Sequence, residues 1–149
     1  MKNYKKIMLP AFIMALALAS CEKSDKEPWN PDAPTISNGA YVLNQGNSYN
    51  HIEGSLNVID YTNFTSSLSV FKGANGRTLG DTPQCGVAYG TKLYIGMNDS
   101  HTIEIVDRSS YRSLKQIRLD DVEFKGKSPR SMVANDGFVY ISMFEGYVA

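Results

Sequence analysis

The sequence has 149 residues, 42% of them hydrophobic and 11% aromatic, with 15 basic residues balancing 15 acidic ones. That content excludes a disordered chain and fits one modest domain, while the lack of a basic excess excludes a nucleic-acid binder that works through a charged patch. Nine Tyr and six Phe lean the chain toward strands, where broad side chains pack on a pleated surface.

Residues 1–20 read as an export signal. Lys2, Lys5 and Lys6 form its positive start, and residues 7–18 form an apolar run too short for a permanent membrane helix. Leu18-Ala19-Ser20-Cys21 follows as a lipobox. Small residues before the cysteine let an extended backbone enter a peptidase cleft. The Cys21 thiol takes the lipid and becomes the first residue of the mature protein. Without the signal, the remainder is about three charges negative.

Residues 21–38 hold the lipidated cysteine and a flexible tether, rich in charge and carrying Pro28, Pro31 and Pro34. Residues 39–149 form the folded part. Cys85, the second cysteine, reads as a small buried apolar residue in a strand.

The folded part repeats. The segment from Thr82 to Asn98 aligns without gaps on that from Ser128 to Phe144, at an offset of about 46 residues. Pro83/Pro129, Val87/Val133, Ala88/Ala134, Tyr94/Tyr140, Ile95/Ile141 and Met97/Met143 are identical pairs. An earlier, partial copy aligns Tyr41 with Tyr94 and Asp60 with Asp107. Each unit predicts four short strands: GVAY or MVAN, then KLYIGMN, TIEIVDR and SLKQIRL. Leu93, Ile95 and Met97 share one face. Tyr89-Gly90-Thr91 and Asn135-Asp136-Gly137 are hairpin turns. Asp60 and Asp107 close the third strands and bond the amides of the following turn. Lys115 and Arg118 suit an exposed outer edge. In the first unit, Ser66 to Phe71 answers the fourth strand, while Pro31 and Pro34 leave residues 30–36 unfit for an inner one.

Four strands per repeat predict an all-β partial β-propeller of four-stranded antiparallel blades, with units at about 39–72, 82–120 and 128–149. A seven-bladed ring would need about 320 residues at this repeat length. Two blades and the start of a third are therefore expected, as part of a longer ring whose far end supplies the first blade's inner strand.

These units resemble the YVTN-type propeller repeat. Tyr41-Val42-Leu43-Asn44 is close to its name motif. Val58-Ile59-Asp60 and Ile105-Val106-Asp107 match its third strand, and Pro83-Gln84-Cys85-Gly86-Val87-Ala88 its inner strand. Glu22, Asp25 and Glu27 after Cys21 resemble the surface-export signals of Bacteroidota lipoproteins. The whole is similar to the surface propeller lipoproteins of that group, among them those that capture vitamin B12. The resemblance implies a lipid anchor in the outer membrane, a position at the cell surface, a corrinoid-type ligand and a TonB-dependent transporter as partner. It implies no cofactor and no nucleic acid.

A ligand is expected on the face formed by the loops at 45–55, 73–84, 98–102, 120–130 and 144–147. Tyr49, His51, Asn98, His101 and Arg130 are the candidate binding residues, offering aromatic planes, amides and a guanidinium. Arg77 is a further donor. Arg130 and Gln84 also read as hydrogen-bonding partners of neighbouring blades, His51 and His101 as rim residues rather than metal ligands, and Asp120 and Asp121 as a solvated pair. An adhesion or protein-interaction propeller would use the same face. The sequence carries no nucleophile elbow, HExxH motif or metal-ligand cluster, so it is not read as an enzyme and no metal is expected.

Cys21→Ser is expected to move the protein from the membrane fraction to the soluble one. Retention in the membrane fraction overturns the lipid-anchor reading.

Overall fold

A computed structural model describes residues 38–121 and 125–149. The export signal, Cys21, the tether and segment 30–36 lie outside those residues. The fold is all-β, with three antiparallel sheets and one short helix between the first two. The first sheet holds β1 (Gly39–Asn44), β2 (Ser55–Asp60) and β3 (Thr65–Ser67). Helix α1 (Val70–Asn75) follows. The second sheet holds β4 (Pro83–Tyr89), β5 (Lys92–Met97), β6 (Thr102–Asp107) and β7 (Ser113–Arg118). The third holds β8 (Pro129–Asn135) and β9 (Phe138–Met143), and the last residues run back along β9 through a Ser142–Val148 bridge.

The repeat read in the sequence is a repeat in register. Pro83 pairs with Met97 and Val87 with Tyr94; Pro129 pairs with Met143 and Val133 with Tyr140. Both inner strands begin at their proline, three residues before the GVAY and MVAN segments. A bulge follows each proline, between Pro83 and Cys85 and between Pro129 and Ser131. A proline cannot donate to the ladder, so it fits a strand's first position with the irregularity beside it. At the Asp136-Gly137 turn both residues have positive φ, 47° and 86°, which suits the twist of the flanking strands.

The second sheet is covered on both faces. Alternation sends Leu93, Ile95, Met97 and Val106 toward the first sheet, where they pack with Leu56, Phe71 and Leu79. Ile103 points the other way and packs with Ile141 and Met143 of the third sheet, together with Leu119. The two junctions repeat one pattern. The second strand of each later sheet lays Ile95 and Met97, or Ile141 and Met143, against the strand next to the outer one in the sheet before it, at Leu56 of β2 and Ile103 of β6. Burying each such side chain contributes about 1.5–3 kcal/mol.

One charge enters this core. Glu104 lies on β6 opposite Ile95 and is fully buried. A buried carboxylate is tolerable only when paired and hydrogen-bonded. Arg77 Nη2 reaches Glu104 Oε1 at 2.8 Å, the Ser113 hydroxyl donates to the same oxygen, and Gln116 Nε2 reaches Oε2 at 2.9 Å. Arg77 is held in turn over the Phe71 ring, 4.9 Å from its centroid. The sequence reading placed Arg77 among the ligand loops; its guanidinium is instead committed to Glu104.

The first unit departs from the outer strand expected over Ser66 to Phe71. Its outer strand stops at Ser67, and Ser69 turns left-handed with φ 51°. Asn57, at the place in β2 that Glu104 holds in β6, accepts the Ser69 amide at 2.8 Å. The chain then forms α1 and drops Phe71 into the core. Asn75, at the helix end, bonds Tyr111 O and the Ser113 amide, both at 2.8 Å, so α1 is tied to the second sheet.

Asp107 does what its position predicted. Its Oδ1 accepts the amides of Ser109 and Ser110 at 3.0 and 2.8 Å, and both hydroxyls as well. Those side-chain and backbone donors hold the carboxyl down to about 2. Asp60 accepts the Thr62 amide at 2.7 Å, and its carboxyl is likewise lowered, mainly by the Asn63 side chain.

Two outcomes test this packing. A Cβ at Gly96 would lie 2.6 Å from Pro129 Cβ and 2.9 Å from both Cys85 Sγ and Met132 Cε. The proline ring cannot yield, so Gly96→Ala is expected to cost about 1–3 kcal/mol in chemical denaturation. Gly73→Ala, in α1 with nothing within 4 Å, is expected to stabilise by roughly 0.5–1 kcal/mol. The second outcome concerns acid. Because the folded Asp107 carboxyl lies below its unfolded value, its contribution is whole above about pH 4 and is lost as pH falls toward 2. Asp107→Asn should flatten that part of the denaturation midpoint's pH profile; an unchanged profile counts against the turn's role.

Candidate functional site

The loop after β1, the loop after β5 and the residues after β9 meet the starts of β4 and β8 at one end of the sheets. Backbone bonds fix them there. The Asn98 amide donates to Thr82 O at 2.9 Å, the Phe144 amide to Ser128 O at 2.8 Å and the Gly54 amide to Gly80 O at 2.9 Å. The first two bonds are one repeat apart and do the same work. Each joins the residue after a sheet's second strand to the residue before its first.

Between the second and third sheets, this end opens into a groove of about 310 Å³. Thr82, Gln84 and Asn98 line it from the second sheet, and Ser128, Arg130 and Phe144 from the third. Arg130 sits over the Phe144 ring, 5.2 Å from its centroid. It makes no ion pair among the described residues. Thr82 holds φ 54°, an uncommon left-handed conformation for a β-branched residue. The Asn98 amide and a 2.6 Å bond from its own hydroxyl to Asp99 keep it in place.

The carboxylates around the groove already have donors. Asp99 accepts from Thr82. Asp120 lies 3.0 Å from Lys127 Nζ and 3.4 Å from His101 Nδ1, and the Lys127 bond lowers its carboxyl most. Glu145 accepts the Lys127 and Ser128 amides at 3.3 and 3.4 Å; its carboxyl is lowered chiefly by its own amide. Asp121 pairs with Arg118 at 2.9 Å. Asp120 and Asp121 are both exposed, as expected, and each also makes a surface ion pair with its own cation. Cys85 is in β4, half-buried, and burial pushes its thiol up to about 11. Among the described residues no group of three or more His, Cys, Asp and Glu side chains could hold a metal ion.

The five candidate residues divide. Asn98 and Arg130 come together in the groove. His101 lies in the loop after β5, beside Asp120. His51 lines a separate cavity of about 290 Å³ with Lys72, Phe71 and Thr78, between the first sheet and α1. Tyr49 is 91% exposed. Thr82, Gln84, Ser128 and Phe144, none of them among the candidate binding residues, complete the groove. The gapless repeat holds the signal for them: it sets Thr82 on Ser128, Gln84 on Arg130 and Asn98 on Phe144, so the six are three pairs of equivalent strand ends.

No protein-family model matches this chain, and no curated protein matches it.

Proposed function

We propose that this chain forms blades of a lipid-anchored β-propeller at the surface of an outer membrane, where it binds a ligand and passes it to a TonB-dependent transporter. The groove between the second and third sheets carries this reading. It is concave, sits at the loop end and combines a guanidinium, two carboxamides, two hydroxyls and an aromatic ring. A few convergent polar groups beside an aromatic plane are what a binding site for a large polar ligand requires. The repeated stacking of meander sheets supports the propeller. The lipobox and acidic tether of the sequence support the anchor. The corrinoid class rests on the resemblance of the YVTN-type units. Adhesion to a macromolecule is the second reading, and the exposure of Tyr49 favours it.

Calorimetric titration of cyanocobalamin into the mature protein tests the corrinoid reading. Binding at micromolar concentration is expected, with Asn98→Ala/Arg130→Ala weakening it about tenfold or more. No heat rejects a corrinoid ligand. Heat that the double variant leaves unchanged moves the site away from the groove.

A further inference from the structure

The two junctions between sheets are built from equivalent positions, but their side chains end differently. At the first junction, Gln45 and Gln84 stand where Asn98 and Arg130 stand at the second. Gln45 Nε2 donates to Gln84 Oε1 at 2.8 Å, so the first junction supplies its own acceptor. Among the described residues, no side-chain hydrogen bond joins Asn98 to Arg130 at the second. Arg130 replaces the glutamine with five N–H donors and no acceptor, and Phe144, on the position of Asn98 in the next unit, supports it from below. Asp99, Asp120, Asp121 and Glu145 are each taken by other donors. Among the described residues the groove thus holds a guanidinium that no carboxylate pairs.

We infer that the groove between the second and third sheets is a subsite for an oxyanion carried by the ligand, with Arg130 as its principal donor and Asn98 and Ser128 beside it. This rests on the ligand-binding reading above and names the chemistry it would recognise. A guanidinium fork matches a carboxylate or phosphate with two parallel bonds, and charge-assisted bonds of this kind are about twice as strong as neutral ones. The Phe144 ring holds the cation in place without neutralising it. A ligand whose anionic group is joined to a flat apolar frame would use both.

Three small probes separate the possibilities: benzoate, phenyl phosphate and the neutral benzamide, each titrated into the isotopically labelled mature protein at matched ionic strength. The resonances of Arg130 Nε, Ser128 and Phe144 report binding. Benzoate or phenyl phosphate is expected to move them with at least about tenfold higher affinity than benzamide, and the stronger of the two identifies the anion. Arg130→Lys, which keeps the charge and loses the fork, should weaken binding. Asn98→Gln/Arg130→Gln rebuilds the self-satisfied pair of the first junction, so it should keep the fold and lose both anions. Benzamide binding as tightly as the anions overturns the inference, as does undiminished anion binding by the double glutamine variant or silence toward both anions. The cyanocobalamin titration stands apart. Cobalamin binding with silent anions removes this inference alone, whereas anion binding without cobalamin removes the corrinoid reading and leaves this one.

Discussion

The second sheet must be covered on both faces, and most of the molecule follows from that. A sheet with one wet face alternates apolar and polar residues. Here β6 is buried on alternate residues to both sides, with Val106 toward the first sheet and Ile103 toward the third. Neither neighbour alone would satisfy it. The close approach this demands fixes small details. Gly96 stays a glycine because Pro129 and Met132 of the next sheet occupy the space a side chain would need. Each proline opens its inner strand with a bulge, which lets the strand lie against its neighbour without an unpaired amide in the seam.

Burial on both faces also explains how a charge can sit in the centre. Glu104 shares its face with Leu93, Ile95 and Met97, and it is tolerated because three donors converge on its two oxygens. One donor, Arg77, comes from the segment linking the first and second sheets. The ion pair therefore does more than neutralise a carboxylate: it sets where that linker lies. Asn57 performs a smaller version of the same task in the first sheet, holding the turn into α1 through the Ser69 amide. Breaking such a pair costs far more than its net contribution, because the partner is left charged and buried. That asymmetry gives the linker one position.

The frame was legible in the sequence because it depends on local periodicity. Met97 and Met143 lie one repeat apart, as do Tyr94 and Tyr140, and both pairs occupy the same register in their sheets. Asp107 and Asp60 could be read as turn formers from position alone. What could not be read depends on which groups meet across the seam. Ser66 to Phe71 looks like an outer strand by alignment, yet Phe71 gains more by entering the core than by extending the sheet, and the left-handed Ser69 turns it there. Arg77 looks like a free cation until Glu104, 27 residues later, is known to be buried. His51 and Tyr49 share a loop with groups near the groove, but the path of that loop directs them elsewhere.

The seams explain why binding chemistry can differ within so regular a frame. The loop ends are held by backbone bonds, Asn98 to Thr82 and Phe144 to Ser128, that ask nothing of the side chains. Those side chains are then free to vary without loss of the fold. Thr82 and Ser128 keep a hydroxyl. Gln84 becomes Arg130, and Asn98 becomes Phe144. One seam closes on its own hydrogen bond, and the other leaves a guanidinium facing a groove. A fold that repeats its backbone contacts while releasing its side chains can make each seam a different surface, and in the proposed function the seam that does not satisfy itself is the one that meets a ligand.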